Sequence, residues 1–326
     1  MKLKHILTKY SYQLMLLAFL ALLFIVMGIV NTSFISIKNI VTVITRSSEV
    51  AIIAIGMTVV IIAGGFDLSV GVVMAIVPSV IGILYGSGMN FILCIVCGLT
   101  VAILVGYVNG ILIAKAKFQD IIGTLATMTA LRSIEYIITN GKPISTFPNG
   151  YENLAHGMFL NIPIPILIMI AFIILFCWIM TSTKFGRFVY ATGGNRTAAN
   201  IAGINTNMIT ITVYVISALL AAIGGIIYSS RLISASPNAG TNTAFDIVTA
   251  VLLGGTSIVG GQGSIQGTII GVLILNFIIN GFNLIGINAY WQMIFMGLVL
   301  LMAVGYDSRR RHIGRPTQKR KLIEEN

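Results

Sequence analysis

Charged side chains are scarce in this sequence of 326 residues. Asp, Glu, Lys and Arg together make up 9% of it, whereas 57% of the residues are hydrophobic. Roughly a quarter of the residues in a soluble domain are charged, so this composition supplies too few polar side chains to cover a water-facing surface. The shortage excludes an ordinary soluble protein and indicates one that lies in a membrane.

Residues that commonly carry catalysis or bind metals are also few. The three histidines lie outside the apolar runs and far apart in the chain: His5, His156 and His312. The three cysteines lie inside apolar runs, without a second cysteine pair or a histidine nearby: Cys94, Cys97 and Cys177. We interpret these cysteines as small packing residues rather than redox or metal ligands. The sequence has no Gly-x-x-x-x-Gly-Lys-Ser/Thr phosphate loop, so we predict no enzymatic activity, no cofactor and no metal site.

The hydrophobic residues occur in runs of about 20, the length that a helix needs to cross a hydrocarbon core of about 30 Å. We therefore predict an all-α fold, a polytopic transmembrane helix bundle that forms a single domain over 1–326 with a membrane-spanning core at 11–308. The candidate spans are 11–31, 49–64, 68–86, 91–113, 119–140, 164–181, 208–229, 245–260, 265–285 and 289–306.

Basic residues are distributed unevenly between the two sets of loops that about ten spans would create. Fifteen of the 20 Lys and Arg residues fall in the N-terminus, the C-terminus and two loops that would share one side. The opposite loops have only Lys38, Arg46, Lys142 and Arg231. Since cytoplasmic segments are enriched in Lys and Arg, we predict cytoplasmic N- and C-termini. The same rule explains the net charge of +11 without nucleic acid.

Two segments at the predicted membrane boundaries stand out by composition. Ser33–Ser48 has apolar residues at helical spacing, and we expect it to lie along the outer membrane interface. The tail at 309–326 is basic, and we interpret it as a cytoplasmic anchor that contacts anionic membrane lipid.

Two glycine-rich segments interrupt the spans in a similar way, Ala63–Gly71 and Leu253–Gly261. Glycine pairs allow a helix to break at membrane depth where the freed backbone groups face protein or a water-filled cavity. The likeness suggests that the second and third spans are repeated as the eighth and ninth. Within the first break, Asp67 either faces a translocation pathway or accepts backbone N–H groups at the start of the next helix.

Other polar residues inside the spans have two readings as well. Arg132 and Glu135 are three positions apart, and we expect a structural ion pair between them. Three amides share one face of the ninth span, where they would bond either a substrate's hydroxyls or neighbouring helices: Asn276, Asn280 and Asn283.

The loop at 182–207 is predicted to be cytoplasmic and to contain a short helix. Asn195 has the character of an N-cap, residues 196–202 favour a helix, and Gly203 is a typical terminating residue. A capped helix held between two spans is a surface that a membrane protein can offer to a soluble partner.

The same loop resembles the coupling loop of ribose-type permeases of bacterial ATP-binding-cassette (ABC) importers. That family typically has Gly-Arg-x-x-Tyr-Ala-x-Gly-Gly-Asn-x-x-Ala-Ala-x-x-x-Gly-Ile, which this sequence matches from Gly186 to Ile204. Further matches extend the resemblance over nearly the whole chain: Gly64–Gly71, Asn109–Gly110, Ala235–Gly240, Ala250–Gly271 and Asn280–Gly286. One departure precedes Asp246, where the family usually has Gly-Tyr-Glu-Leu and this chain has Asn-Thr-Ala-Phe.

The resemblance implies a permease in the bacterial inner membrane with three protein partners: a cytoplasmic ABC ATPase, an extracytoplasmic sugar-binding protein and a second permease copy or paralogue. Its substrate would be a monosaccharide such as ribose, with autoinducer-2 or a nucleoside as alternatives. An ion-coupled secondary transporter is a rival class, although few ionisable residues lie in the spans. The resemblance assigns coupling to the ATPase to residues of the loop: Arg187, Gly193, Gly194, Asn195, Arg196, Ala198, Ala199 and Gly203. Arg231 on the opposite side is a candidate contact for the binding protein.

Overall fold

The computed structural model describes residues 11–313, with side chains from Tyr12 to Gly305. Its helices are α1 (Ser11–Val30), α2 (Ile37–Ile62), α3 (Val70–Gly86), α4 (Phe91–Ala114), α5 (Asp120–Thr139), α6 (Asn153–His156), α7 (Ile164–Ser182), α8 (Lys184–Gly194), α9 (Arg196–Ile201), α10 (Thr206–Leu232), α11 (Thr243–Leu253), α12 (Ile265–Leu284) and α13 (Ala289–Ile313). A 3-10 turn (Thr32–Ile35) precedes α2, and β1 (Met158–Phe159) pairs with β2 (Ile162–Pro163).

Seven of the helices are long and apolar enough to cross a membrane: α1, α2, α4, α5, α7, α10 and α12. Three shorter apolar helices occupy the positions of the remaining predicted spans: Val70–Gly86, Thr243–Leu253 and Ala289–Gly305. The all-α polytopic fold is therefore confirmed. The count of ten spans and the orientation of the termini stay predictions, and residues 314–326 of the predicted basic tail lie outside the described residues.

Two span boundaries were predicted wrongly. Ser33–Ser48 does not form a separate interfacial segment, because most of it belongs to α2, which starts at Ile37 and continues unbroken to Ile62. Its polar residues do not end the helix, since Ser47 is buried and its hydroxyl donates to the carbonyl of Val43 at 2.8 Å. The eighth span was predicted to run to residue 260, yet α11 ends at Leu253.

The centre of the bundle is formed by α2 and α10, which are the most buried of the long helices. Helix α10 packs against α2, α3 and α4. Gly106 and Gly110 of α4 lie directly against the backbone of α10, where a methyl group would approach Val215 Cα and Ile211 Cα to 2.6 and 2.7 Å. Small residues spaced by four positions thus bring two spans into close backbone contact. By contrast, α1 has exposed apolar side chains such as Ile29, as a lipid-facing helix requires.

The loops cluster at the two ends of the bundle in the grouping that the charge distribution predicts. At one end, Ile144 forms an antiparallel bridge with Ala235, and His156 Nε2 lies 3.2 Å from the carbonyl oxygen of Arg231. These residues belong to two segments that were both predicted to be extracytoplasmic. At the other end, Arg196 acts electrostatically on Asp120, which follows the predicted cytoplasmic loop after α4.

Candidate functional site

The short helix α9 has the caps that the sequence predicts. Asn195 has extended backbone angles, and its side-chain oxygen accepts a hydrogen bond from Ala198 N at 2.9 Å. The helix ends at Ile201, and Gly203 follows with a φ of +84°, which places it in the left-handed region that glycine favours. The predicted capped helix is confirmed, with its C-terminal end one residue earlier than expected.

A second helix that sequence reasoning missed precedes α9. Helix α8 begins after Thr183, whose hydroxyl oxygen accepts from Gly186 N at 3.2 Å. A threonine before a helical pattern is the signal that could have predicted it. Gly193 and Gly194 are the last two residues of this helix. The extended backbone of Asn195 separates the two helices.

One face of helix α9 packs against the rest of the protein and is called the fixed face, whereas the opposite face is exposed and is called the free face. On the fixed face, Ala199 is buried, and Arg196 Nη2 donates to Asn207 Oδ1 at 3.0 Å. On the free face, Ala198 is exposed and Ile201 is 83% exposed. Arg187 of α8 is exposed too, with a long contact of 3.4 Å from its guanidinium to Ser182 O. Ala198 and Ile201 are three positions apart and therefore share this exposed face of the helix.

The end of α8 contacts both glycine-rich breaks at one junction, formed by Gly64, Gly193, Gly260 and Gly261. A methyl group at Gly193 would clash with the carbonyl oxygen of Ile62 and lie 2.7 Å from Gly261 N. A methyl group at Gly260 would lie 2.7 Å from Gly64 Cα. The two breaks are also bonded directly, because Gly261 N donates to the carbonyl of Ile62 at 2.8 Å. We call these four residues the glycine junction.

Tyr190 adds a second link between α8 and the later break. Its hydroxyl donates to the carbonyl oxygen of Gly263 at 2.9 Å. Burial raises the pKa of Tyr190 above its ordinary value, with a smaller effect from Cys177, so the hydroxyl keeps its proton as a donor. Helix α8 therefore contacts both the segment after α2 and the segment after α11.

The two breaks share a backbone geometry. Ala63 and Gly254 cap their helices with φ and ψ of −70° and −4°, and of −68° and −4°. Gly64 and Gly255 follow with φ of +84° and +88°. In each break, the backbone N–H groups of this glycine and of the residue after it donate to carbonyl oxygens in the last turn of the preceding helix, as in a Schellman motif. The two breaks are therefore alike in local structure, with equivalent residues one position away from the match of the two glycine pairs in the sequence.

Asp67 lies fully buried beside the first break. Its Oδ1 accepts from the amide and hydroxyl of Ser69 at 3.0 and 2.6 Å, and its Oδ2 accepts from Ser217 Oγ at 2.9 Å. Ser69 Oγ in turn accepts from Asn109 Nδ2 at 2.9 Å. The carboxylate joins the start of α3 to α4 and α10, which favours the structural of the two predicted readings.

The amides of α12 make contacts within the protein. Asn280 and Asn39 exchange two hydrogen bonds of 2.9 and 3.0 Å between α12 and α2. Asn276 donates to Val272 O at 2.9 Å, and Asn283 Oδ1 accepts from Gln292 Nε2 at 2.8 Å. The pair at Asn280 is an interhelical bond, one of the two readings that the sequence left open.

Two ion pairs lie near the predicted outer side. Arg132 Nη1 is 3.3 Å from Glu135 Oε2, as expected, and also donates to the carbonyl of Ala239 at 2.9 Å. Arg231 Nη2 lies 2.6 Å from Glu49 Oε1, a pairing that the sequence did not predict because 182 positions separate the two residues. Arg231 thus has a structural contact within the chain, beside any contact with a partner.

Comparison with known proteins identifies the family. The family model described as the permease component of branched-chain amino acid transport systems matches residues 39–304. The ribose import permease protein of Haemophilus influenzae is 40% identical over 89% of this chain and 91% of its own length. That of Bacillus subtilis is 41% identical over the same shares. The L-arabinose transport system permease of Escherichia coli is 34% identical over 90% of this chain and 89% of its own.

No solved structure matches this chain. The family model covers most of the sequence, including α8, α9 and the glycine junction. The alignments with the ribose import permeases cover about nine-tenths of the length of each relative. The chain therefore belongs to this family of ABC importer permeases, among its ribose-type members.

Proposed function

We propose that this chain is the membrane-spanning subunit of an ABC importer that carries a small sugar such as ribose across the bacterial inner membrane. The observation that carries the proposal is the identity of about 40% to ribose import permeases over about nine-tenths of both chains. The apolar helical bundle supports it, because such a bundle can enclose a path for a polar solute.

The importer would include three further proteins: a cytoplasmic ATPase, an extracytoplasmic sugar-binding protein and a second permease copy. The free face of α9 would contact the ATPase through Ala198 and Ile201, which are exposed at the more basic end of the protein. Energy would have to come from this partner because the sequence has no phosphate loop.

Force from the ATPase would pass from α9 to α8 and then to the glycine junction. Gly193 and Tyr190 contact the segments that follow α2 and α11. A displacement of α8 would therefore shift both broken helices together and change the side of the membrane to which the translocation pathway opens. The coupling roles of Arg187, Gly194, Arg196 and Gly203 remain part of this proposal, as do pathway roles for Asp67, Asn276, Asn280 and Asn283.

Reconstitution tests the proposal directly. Proteoliposomes that contain this chain alone should not accumulate radiolabelled D-ribose, whereas those with the ATPase, the binding protein and internal ATP should. Accumulation by the chain alone in a proton or sodium gradient would contradict the proposal and favour a secondary transporter. Competition by a nucleoside or by autoinducer-2 distinguishes the alternative substrates.

A further inference from the structure

A cavity of about 390 Å³ opens between α11, α12 and α13, outside the region of the coupling helix. This volume falls in the range of about 300–1,000 Å³ that is typical of small-molecule sites. Most of its lining is apolar, and four polar side chains project from α11 and α13 or from their ends: Asn242, Asp246, Thr249 and Gln292. The first three are spaced by four and three positions and so share one face of α11.

Asp246 is the only carboxylate in this lining, and its hydrogen-bonding capacity is unused. Among the side chains that the structure describes, none donates to it and no basic group pairs with it. Asp67 differs, because three donors reach its two oxygens. Asp246 is partly exposed, so its carboxylate oxygens are open to accept hydrogen bonds from a ligand in the cavity.

Two of the neighbouring polar side chains, Thr249 and Gln292, offer acceptors as well. The Thr249 hydroxyl donates to Phe245 O at 2.7 Å, so its oxygen is left to accept. Gln292 Nε2 donates to Asn283 Oδ1 and to Ile287 O at 2.8 and 3.0 Å, which leaves its carbonyl oxygen open. Asn242 adds an amide that can both donate and accept. The hydroxyl groups of a sugar, which donate and accept, suit this lining.

The rest of the lining suits the apolar face of a sugar ring. Phe245 and Met293 line the cavity and are 48% and 55% exposed, and Met296 forms its buried wall. The cavity lies where α11 and α13 begin, and the segment that contains Ala235 leads into α11. A substrate released on the predicted outer side would meet these residues before the glycine junction.

We propose that this cavity is a receiving site for one neutral sugar, in which Asp246 accepts hydrogen bonds from the sugar's hydroxyls. This inference rests on the proposed function and adds the residues that recognise the substrate. It also gives a role to the sequence Asn-Thr-Ala-Phe at 242–245, because Asn242 and Phe245 are part of the lining.

The test pairs a change in the protein with a change in the sugar. Asp246→Asn removes the charge at nearly constant shape, and uptake by the complete importer is measured with D-ribose and with its monodeoxy analogues. We expect about a tenfold loss of D-ribose uptake, as for other hydrogen bonds to a charged group. For the analogue that lacks the hydroxyl bonded by Asp246, uptake by the variant and uptake by the unaltered importer should differ by less than about twofold. Any effect of the binding protein cancels, because it is the same for both permeases.

Two further variants complete the design. Glu152→Gln, which removes a carboxylate that does not line the cavity, should leave uptake unchanged. Met293→Trp should fill the cavity and abolish uptake without altering Asp246. Full D-ribose uptake by Asp246→Asn, or an equal loss for every analogue, would overturn the receiving site while the proposed function stands. Absence of D-ribose uptake by the unaltered importer would overturn the proposed function and the site together.

Discussion

Arg231 at the end of α10 and Glu49 within α2 form an ion pair of 2.6 Å at the end of the bundle that was predicted to face outward. The guanidinium also lies over the ring of Tyr228, 5.2 Å from its centroid. Glu49 is buried whereas Arg231 is partly exposed. Arg231 therefore joins the two central helices and presents part of its charge to the surface.

This geometry sharpens the prediction that Arg231 contacts the binding protein. Arg231→Glu should slow uptake at limiting binding protein, because it reverses a charge at the predicted docking surface. Glu49→Gln is the matched control, since it breaks the same ion pair and keeps the positive charge. Uptake and thermal unfolding in detergent are measured for both variants. Equal losses of uptake would show that only the ion pair matters and would contradict a docking role.

Ala198→Trp should weaken binding of the ATPase by at least about tenfold, equivalent to about 1.4 kcal/mol. Ala198 lies on the free face of α9, so a bulky side chain there obstructs a partner and leaves the fold intact. Pull-down of the ATPase and sugar uptake are measured at equal surface expression, with Ala198→Ser as the control. Normal binding and transport by Ala198→Trp would show that α9 is not the coupling element.

Asn195→Ala tests the local stability of the same helix. The change removes the side-chain oxygen that accepts from Ala198 N, and such caps contribute about 0.5–2 kcal/mol. Because the remaining fold does not depend on this bond, we expect weaker coupling with little change in the global thermal midpoint. ATPase activity that persists while uptake falls would be the signature. A variant with normal uptake per ATP hydrolysed would argue against a mechanical role for the cap.

Gly193→Ala should destabilise the protein by about 1–3 kcal/mol, as overpacking in a close contact does. Its methyl group would clash with the carbonyl oxygen of Ile62, whereas a methyl group on the adjacent Gly194 would meet nothing within 4 Å. Gly194→Ala is therefore a control within the same helix, and it should be neutral or slightly stabilising. Because Gly194 is also one of the proposed coupling residues, the two variants are compared by thermal unfolding. Similar behaviour of the two variants would contradict a tight glycine junction.

Sequence reasoning performed best where local chemistry determines structure. The apolar runs predicted the long helices, and Asn195 and Gly203 predicted the bounds of α9, because spans and caps depend on neighbouring residues. It failed where contacts between residues far apart in the sequence determine the structure. The second span was predicted to start at residue 49, yet Glu49 is matched by Arg231 from α10, and α2 already begins at Ile37.

The same contrast between local signals and long-range contacts applies to the functional residues. The coupling loop was recognisable from its motif, but nothing local predicted that Gly193 would touch Ile62 or that Tyr190 would bond Gly263. Asn280 has an amide partner in α2, and Asp246 lines a cavity whose other walls come from α12 and α13. A single sequence read along its length does not show which residues from different spans meet.

The bonds between the two breaks have a consequence for how the protein is made. Gly261 N donates to Ile62 O, and the hydroxyls of Thr58 and Thr268 are 2.7 Å apart although 210 positions separate them. The first break emerges from the ribosome long before its partner exists, so its carbonyl groups must find temporary partners in water or in the insertion machinery. The N-terminal half therefore cannot reach its final structure during synthesis, and a chain shortened before α12 should be a substrate for membrane proteases rather than a stable fragment.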